Sequence, residues 1–460
     1  MFTDARGLEL STRSAEAARA LSEALEHYLG LKNDIGALVK QALSSDPEFM
    51  FGHVVRGYLM LHMRSSAVLP EASKSLARAE ALAGGAGDRE HMHLEGLRAW
   101  IDGDMAAMNR RLETLLARYP LDLFALKMAQ FNYFWQGDRA NMRDVVQRAR
   151  TGWGEQVPGY GFLLGMHAFG LEECGQYREA ERAGRHAIEL NPADHWGAHA
   201  VAHVLEMEGR QREGIAWLDG LQGHWGDGNE FINHLWWHRA LFHLELEQHD
   251  TVLALYDEVI RRERSDFYIN LQNAISLLWR LELRGLNVGP RWEELAELAV
   301  ARNGDHSLPF TDMHYAIALA AAGRRDDLVS FLASLRSEAA QRPGSWAPVY
   351  REVTLPLCEA LADFRAGRYE AALAGIQRVR AQLHRAGGSH AQRDVVEQTL
   401  VVAALQAGRH DLARTLLAER TAAKPASAWG WQRYGEALAA LADADGAAAA
   451  GARARALLSA

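Results

Sequence analysis

The sequence predicts an all-α protein built as a solenoid of stacked helical hairpins. Its 460 residues exceed one typical compact domain, which favours several domains or one extended repeat array. The chain holds 11 prolines, is rich in alanine, and nearly lacks the alternating Val/Ile/Thr runs that mark strands. Turn-like segments, most of them containing glycine, also recur at a regular spacing.

These turns follow one another every 34 to 44 residues. They lie at Gly103-Asp104, Gly137-Asp138, Gly175-Gln176-Tyr177, Gly209-Arg210, Gln248-His249-Asp250, Gly285, Gly323-Arg324, Gly367-Arg368-Tyr369 and Gly408-Arg409. The spacing starts at the period of about 34 residues that is typical of tetratricopeptide (TPR) repeats, and lengthened loops account for the rest. The sequence therefore predicts a TPR-like helical-hairpin solenoid that winds into a right-handed superhelix.

The segment around Gly175 indicates how one repeat is built. Gly175 closes the first helix, Tyr177 can pack between the two helices, and Ala180 lets them approach closely. Asn191-Pro192 ends the second helix, because proline cannot continue it. Such a hairpin cannot bury its apolar face alone, so stacking against its neighbours supplies the core.

The domain organisation is predicted to be simple. No Gly/Ser/Pro-rich linker divides the chain, so residues 1–460 form one continuous superhelix. We expect residues 1–13 to be an irregular N-terminal segment and residues 429–460 to form C-terminal capping helices.

Charge and cysteine content argue against several classes of function. The net charge of -9, without a dense Lys/Arg block, argues against nucleic acid as a partner. The two cysteines, Cys174 and Cys358, offer no disulfide framework and no cysteine-based zinc site. We see no secretory signal and no apolar run near the ~20 residues of a membrane span, so we expect a cytoplasmic protein that does not bind membranes.

Polar side chains concentrate on the first helices of several repeats. In a TPR superhelix these helices line the concave surface, so their polar side chains converge on one groove. The groove or ligand-binding candidates are His199, His203, Glu206, Asn233, His234, Trp237, His238, Asn273, Asp312, His314, Gln392 and Arg393.

Three interpretations of the histidines stay open. Paired histidines at i, i+4 suit a divalent metal ion, because both imidazoles reach one point. His199, His203 and His238 are therefore the candidate ligands, and a divalent metal is the candidate cofactor. Alternatively, the histidines are hydrogen-bonded groups between helices. A histidine cluster beside carboxylates could also perform acid–base chemistry near neutral pH, with Asp312 as an orienting carboxylate.

The motif Gly387-Gly388-Ser389 also has two interpretations. Its backbone N–H groups could bind an anion at the start of the next helix, with Arg393 adding charge. Alternatively it is a turn with Ser389 as the helix N-cap, and Arg393 pairs with an acid nearby.

Several segments resemble the tetratricopeptide repeat protein 38 family, and the similarity runs nearly end to end. They are Asp46-Pro-Glu-Phe-Met-Phe-Gly-His53, Asn191-Pro-Ala-Asp-His-Trp-Gly-Ala-His199, Ala202-His-Val-Leu-Glu-Met207, His234-Leu-Trp-Trp-His238, Asp312-Met-His314, Leu355-Pro-Leu-Cys358 and Gly387-Gly-Ser-His-Ala-Gln-Arg-Asp394. The resemblance implies an all-helical, TPR-like, soluble protein. It implies no activity, substrate or catalytic residue.

Three functions follow as hypotheses. The first is a binding protein that holds a small molecule or peptide in a polar, histidine-rich concave groove. The second is an enzyme that uses the same groove for acid–base or metal-assisted chemistry. The third is a scaffold for protein partners, in which the histidines are structural. The discriminating observation is whether His199, His203, His234 and His238 face one enclosed space.

Overall fold

The computed structural model describes residues 2–459 and contains 25 α-helical segments in that range. The first are α1 (Ala15–Leu29), α2 (Ile35–Ser45), α3 (Met50–His62), α4 (Leu69–Leu82), α5 (Asp88–Ile101), α6 (Met105–Arg118), α7 (Leu123–Gln136), α8 (Arg139–Ala149), α9 (Tyr160–Glu173), α10 (Tyr177–Leu190), α11 (His195–Met207), α12 (Gln211–Leu221) and α13 (Ile232–Glu245). The rest are α14 (His249–Leu255), α15 (Tyr268–Leu283), α16 (Arg291–Ala301), α17 (Pro309–Ala321), α18 (Arg325–Gln341), α19 (Ala347–Val349), α20 (Leu355–Arg365), α21 (Tyr369–Arg380), α22 (His390–Gln406), α23 (His410–Ala423), α24 (Ala428–Ala440) and α25 (Ala444–Ser459).

Consecutive helices pair as hairpins, which confirms the predicted TPR-like helical-hairpin solenoid. Twelve hairpins follow one another within the described range, from α1–α2 to α24–α25. The short α19 is the exception, because a π-helical turn at Tyr350–Thr354 joins it directly to α20. A second π-helical turn, Tyr256–Ile260, extends α14.

Every hairpin turn contains at least one residue in the left-handed conformation. Eight of the turns use glycine: Gly103, Gly137, Gly175, Gly209, Gly285, Gly323, Gly367 and Gly408. The other four use Leu31, Arg64, Glu247 and Ala442, with φ between 50° and 62°. A left-handed residue ends a helix and turns the chain back, which explains why the glycine period follows the hairpins.

The first helices of several central hairpins are buried on nearly all sides. In α11, 11 of 13 residues are buried, whereas in its partner α12 only 3 of 11 are buried. The same holds for α15, with 14 of 16 residues buried. Any polar side chain on such a helix is therefore removed from water and needs a partner inside the protein.

The solenoid closes on itself, so its concave side is not an open groove along its whole length. Trp279 Nε1 of α15 donates to Thr399 Oγ1 of α22 at 2.9 Å. At the other end, the backbone N–H of Asn229 donates to the carbonyl oxygen of Leu31 at 2.7 Å. These contacts join hairpins that are far apart in sequence, and they divide the predicted groove into separate pockets.

The two termini differ from the central repeats. Within the segment 1–13, β1 (Phe2–Thr3) and β2 (Glu9–Leu10) pair antiparallel, with Phe2 opposite Leu10. The carboxylate of Asp4 accepts the backbone N–H groups of the connecting turn, which stabilises this ribbon. At the other end, α24 and α25 form the last hairpin. Positions 1 and 460 lie outside the described residues.

Within residues 2–459, no helix combines the length and the apolar character needed to cross a bilayer.

Candidate functional site

Four histidines meet between the neighbouring helices α11 and α13. His199 and His203 lie one turn apart on α11. His234 and His238 lie one turn apart on α13, so the two pairs face each other. Each of the four residues is at most 3% exposed, and one ring nitrogen of each lies within 4.8 Å of the others. These four residues are called the histidine cluster below.

Oxygen acceptors on the outside of the cluster orient two of its rings. His234 Nδ1 lies 2.8 Å from Asn273 Oδ1, and His238 Nδ1 lies 3.1 Å from Glu206 Oε2. Amide and carboxylate oxygens accept hydrogen bonds, so both Nδ1 atoms donate and carry the ring proton. Each of these rings therefore directs an unprotonated Nε2 towards the inside of the cluster.

The inward-facing nitrogens have few partners. His199 Nε2 lies 3.1 Å from His234 Nε2. Across the described part of the chain, His238 Nε2 and both ring nitrogens of His203 have no hydrogen-bond partner. His203 Nδ1 lies 3.3 Å from Glu172 Oε2, but at an unfavourable angle for a hydrogen bond. The cluster is thus a set of desolvated nitrogens that point at one another, each unpaired group costing about 1–3 kcal/mol.

Burial keeps three members of the cluster uncharged. Desolvation lowers the pKa of His199, His234 and His238 well below its usual value, and the neighbouring imidazoles lower it further. These rings are therefore neutral at pH 7, which is the state in which imidazole binds a metal ion.

An acidic pair adjoins the cluster at the end of α9. Glu172 Oε1 lies 2.6 Å from His390 Nε2, and Glu173 Oε1 lies 3.7 Å from His390 Nδ1. Burial opposes the charge on each group, but the attraction between them prevails. It lowers the pKa of Glu172 to about 2 and raises the pKa of His390 to about 9. His390 and Glu172 therefore form a charged pair at neutral pH.

The sequence interpretation did not include this acidic pair. Glu172 and Glu173 belong to the repeat before the histidine helix, and no motif links them to it. A usable signal exists in hindsight, because they are two consecutive acids at the end of an otherwise largely apolar first helix. Both are less than 5% exposed.

Seven of the predicted site residues lie together. They are His199, His203, Glu206, His234, Trp237, His238 and Asn273. Trp237 stacks on His234 with ring centroids 5.0 Å apart, and its Nε1 donates to Ser276 Oγ at 3.2 Å. The reason for the convergence is the stacking of α11, α13 and α15, which places equivalent positions of successive repeats side by side.

Two other predicted residues belong to a different network. Asp312 accepts hydrogen bonds from His306 Nδ1 and from the hydroxyl of Tyr350, both at 2.9 Å. The expectation that Asp312 orients the clustered histidines is therefore wrong, because its two oxygens accept from His306, which precedes α17, and from Tyr350 in the π-helical turn. His314 Nδ1 donates to the carbonyl oxygen of Phe310 at 2.7 Å, within its own helix.

The Gly387-Gly388-Ser389 segment forms a turn and a helix cap. Ser389 Oγ accepts the N–H of Gln392, and Gln392 Oε1 accepts the N–H of Ser389. Arg393 donates to the carbonyl oxygen of Gly388 and lies 3.9 Å from Glu173. These contacts use donors that an anion would need, which favours the turn interpretation. The remaining candidate, Asn233, is half-buried and does not line the central cavity described next.

A cavity of about 120 Å³ lies at the centre of the solenoid, beside the cluster. It is called the central cavity. Its walls are Tyr28, Leu31, His62, Phe131, Phe134, Trp135, Trp196, His199, Asn229, Phe231, His234, Phe267, Tyr268, Ile269 and Gln392. Eight of these residues are Phe, Tyr or Trp, and two are members of the histidine cluster.

Two buried cations lie near this cavity. Lys127 Nζ sits 3.7 Å from the ring centre of Trp196, and burial lowers its pKa. The guanidinium of Arg64 lies 4.8 Å from the ring centre of Trp100. Its Nε and Nη2 have no hydrogen-bond partner in residues 2–459, and no acid there is among the groups that shift its pKa. Burial lowers the pKa of Arg64 to about 10, so the group stays positively charged at neutral pH.

Comparison with known proteins gives similarity of fold alone. No family model matches this chain. The structure "Human IFIT1 dimer with m7Gppp-AAAA" is 13% identical over 98% of this chain and 96% of that chain, at a TM-score of 0.40. "Crystal structure of APC/C hetero-tetramer Cut9-Hcn1" is 12% identical over 97% and 96%, at a TM-score of 0.34. "Structure of Naa15/Naa10 bound to HypK-THB" is 15% identical over 95% and 69%, at a TM-score of 0.27. These low scores carry no functional argument, and the helices and turns of this chain themselves define a TPR-like solenoid.

Proposed function

We propose that the protein binds a small aromatic molecule with a negatively charged group in the central cavity. The observation that carries this proposal is the lining, which combines eight aromatic residues with His199 and His234 of the histidine cluster. Binding sites for small molecules are mostly apolar, with a few polar groups that fix orientation. The central cavity has this composition.

The size of the cavity limits the ligand. A dry cavity of about 150 Å³ holds benzene, so about 120 Å³ limits the ligand to a single six-membered ring. Aromatic walls favour a ring over an aliphatic chain, because edge-to-face and stacked pairs add about 0.5–1.5 kcal/mol each. A peptide, the other ligand class expected from the sequence, would need more space than this cavity provides.

The charge of the ligand is inferred from Arg64. A buried cation is costly unless an anion accompanies it. Arg64 has no acidic partner in the described part of the chain, while Tyr28 and Tyr268 of the cavity wall lie within its electrostatic reach. A carboxylate on the ligand would supply the missing charge.

Calorimetric titration of the purified protein with benzoate and with the neutral isostere benzamide tests this proposal. Benzoate is expected to bind at least tenfold more tightly than benzamide, because the latter cannot pair with Arg64. Arg64→Met should remove that preference and leave benzamide binding unchanged. Equal affinities would refute the role of Arg64, and no binding of either compound below about 1 mM would refute the cavity proposal.

A cavity-filling variant provides a matched control. Ile269→Trp replaces an aliphatic side chain of the cavity wall with a large indole ring and should abolish binding of both compounds. Val329→Trp adds the same side chain at a position that is 66% exposed on α18, and it should bind as the wild type does. Binding that survives in Ile269→Trp would place the ligand elsewhere.

An enzyme built on the same residues is the second candidate. One observation favours it, because His199 and His234 belong both to the cavity wall and to the histidine cluster. A bound molecule would therefore touch groups that can accept protons. Mass spectrometry of a bound aromatic acid after prolonged incubation tests this candidate: an unaltered ligand argues for binding without turnover. The scaffold function stays a prediction.

We also infer that the chain is a member of the tetratricopeptide repeat protein 38 family. The segments that carry the resemblance include all four histidines of the cluster, together with Glu206 and Gln392. Membership predicts that other members place histidine at the same four positions, which a comparison of their sequences checks.

A further inference from the structure

We propose that the histidine cluster binds one divalent transition-metal ion, with one ring nitrogen from each of its four members as ligands. This inference extends beyond the proposed ligand in the central cavity and does not depend on it. It rests on the positions of the ring nitrogens, on the groups that orient them, and on the charges nearby.

The spacing of the nitrogens fits a tetrahedral ion after a small contraction. Two nitrogens bound at about 2.0–2.1 Å to one tetrahedral ion lie about 3.3–3.4 Å apart. His199 Nε2 and His234 Nε2 are already 3.1 Å apart, and all nitrogens of the set lie within 4.8 Å of one another. The most distant pair would therefore approach by at most about 1.4 Å, a distance that side-chain rotation can cover.

The outer hydrogen bonds are those that metal-binding histidines typically make. A ligating histidine donates its other ring N–H to a carboxylate or carbonyl oxygen, which fixes the tautomer and the ring orientation. Glu206 does this for His238, and Asn273 does it for His234. Glu172 lies 3.3 Å from Nδ1 of His203, the position from which a small rotation would give the same contact.

An ion would also satisfy nitrogens that lack any other partner. The unprotonated Nε2 of His238 and the two ring nitrogens of His203 are buried close together and have no hydrogen-bond partner among the described residues. Buried acceptors without donors are rare in folded proteins, and an unseen ion or water is a usual explanation. The carboxylates of Glu172 and Glu206, which contact the cluster from outside, would offset the charge of a dication.

The ligand type selects the class of metal. Imidazole nitrogens suit zinc, copper, nickel, cobalt and iron, whereas magnesium and calcium prefer oxygen ligands. Four nitrogens without an oxygen therefore favour an ion of the zinc class. A fifth ligand could reach the ion from the central cavity, because His199 and His234 form part of its wall.

A second group of residues could in principle hold an ion, but its chemistry is less suitable. Glu172, Glu173, His203 and His390 also bring ligand atoms within 4.8 Å of one another. However, His390 already forms a 2.6 Å ion pair with Glu172, and the raised pKa of His390 keeps it protonated. A protonated imidazole has no lone pair for a metal, so the four-histidine set is preferred.

Zinc binding to the full-length protein tests the inference directly. Protein stripped with a chelator is titrated with Zn²⁺ in competition with a chromophoric chelator, and the metal content is measured by mass spectrometry after dialysis. One Zn²⁺ per chain with a Kd of about 10 nM or tighter is expected, as for other histidine- or cysteine-bound structural zinc sites. Binding weaker than about 10 μM, or a stoichiometry that varies with preparation, would overturn the proposal.

Variants assign the ion to the cluster. His203→Gln and His238→Gln should each weaken Zn²⁺ binding at least 100-fold. Glu206→Gln should keep the 1:1 stoichiometry but weaken binding about 10–100-fold, the usual effect of losing an orienting carboxylate. His243→Gln is the matched control, because His243 lies on the same helix α13 but pairs with Gln248. It should bind Zn²⁺ as the wild type does.

The remaining outcomes are also decisive. If the two cluster variants fail to fold, judged by circular dichroism, the wild-type titration and Glu206→Gln still test the site. If His203→Gln and His238→Gln fold and bind Zn²⁺ with wild-type affinity, the ion lies elsewhere and the inference is refuted. Benzoate titration of the metal-free protein reports on the central cavity separately, so failure of one proposal is distinguishable from failure of the other.

Discussion

The alanine substitution of Gly137 should destabilise the protein much more than the alanine substitution of Gly175. Both glycines occupy left-handed hairpin turns, with φ of 69° and 76°. A Cβ atom at Gly137 would lie 1.9 Å from the carbonyl oxygen of His384, whereas a Cβ at Gly175 would meet nothing within 4 Å. The difference between the two variants therefore isolates the contact between the α7–α8 turn and the segment that follows α21.

The magnitude follows from two contributions. A left-handed alanine costs about 1–2 kcal/mol, and this cost is common to both variants. The overlap with a backbone atom forces a shift that typically costs a further ~1–3 kcal/mol, and only the Gly137 variant bears it. We therefore expect Gly137→Ala to lower the free energy of unfolding by about 2–5 kcal/mol, against about 1–2 kcal/mol for Gly175→Ala.

Urea unfolding followed by circular dichroism at 222 nm and by tryptophan fluorescence measures the difference. A solenoid of this length can unfold in more than one step, so the midpoints of the two signals are compared as well as the fitted free energies. Equal midpoints for the two variants would refute the close contact at Gly137. Because His384 lies shortly before Gln392 in sequence, Gly137→Ala should also weaken benzoate binding, whereas Gly175→Ala should not.

Two further predictions concern stability. Trp279→Phe and Thr399→Val should each destabilise the protein, because the two side chains share one buried hydrogen bond. A double-mutant cycle measured by urea unfolding should give a coupling free energy of about 1 kcal/mol. Additive effects of the two substitutions would contradict that hydrogen bond. The pKa of His314 is lowered to about 3 by burial, so below pH 6.5 the unfolded chain takes up a proton that the folded state refuses. The contribution of His314 to the free energy of unfolding is thus fully present above pH 6.5 and is lost as the pH falls below that value. Relative to His314→Gln, the wild type should lose about 1.4 kcal/mol between pH 7.5 and pH 5.5, since the facing Arg280 keeps its charge. If the free energies of unfolding of the wild type and His314→Gln change in parallel with pH, His314 does not contribute to this pH dependence.

The repeat architecture was readable in the sequence because glycine marks most of the left-handed turns. Where another residue takes that conformation, the signal is lost. Leu31, Arg64 and Ala442 form the turns of the first, second and last hairpins, and the glycine period missed all three. The side chain at such a turn carries an energetic cost that neighbouring contacts offset, and nothing in the local sequence reports those contacts.

Part of the candidate site was readable for a similar reason. Histidines four residues apart lie on one face of a helix, and equivalent helices of successive repeats pack side by side. His199, His203, His234 and His238 were therefore predictable as neighbours. The prediction for Asp312 was wrong, because this residue lies on α17, two hairpins beyond α13. Its carboxylate accepts hydrogen bonds from His306 and Tyr350 instead.

The sequence by itself determined the helices, most of their turns and the convergence of polar side chains on the inner helices, since these follow from periods of 3.6 and about 34 residues that are local along the chain. The tertiary structure alone decided how the solenoid closes. The approach of α22 to α9, α11 and α15 brings His390 to Glu172 and Gln392 to the central cavity, across 218 residues in the first case. Such contacts depend on the accumulated curvature of many stacked hairpins, and small rotations at each interface add up. No single segment of sequence encodes that sum, which is why the groove expected from the repeats is a set of separate pockets in the folded protein.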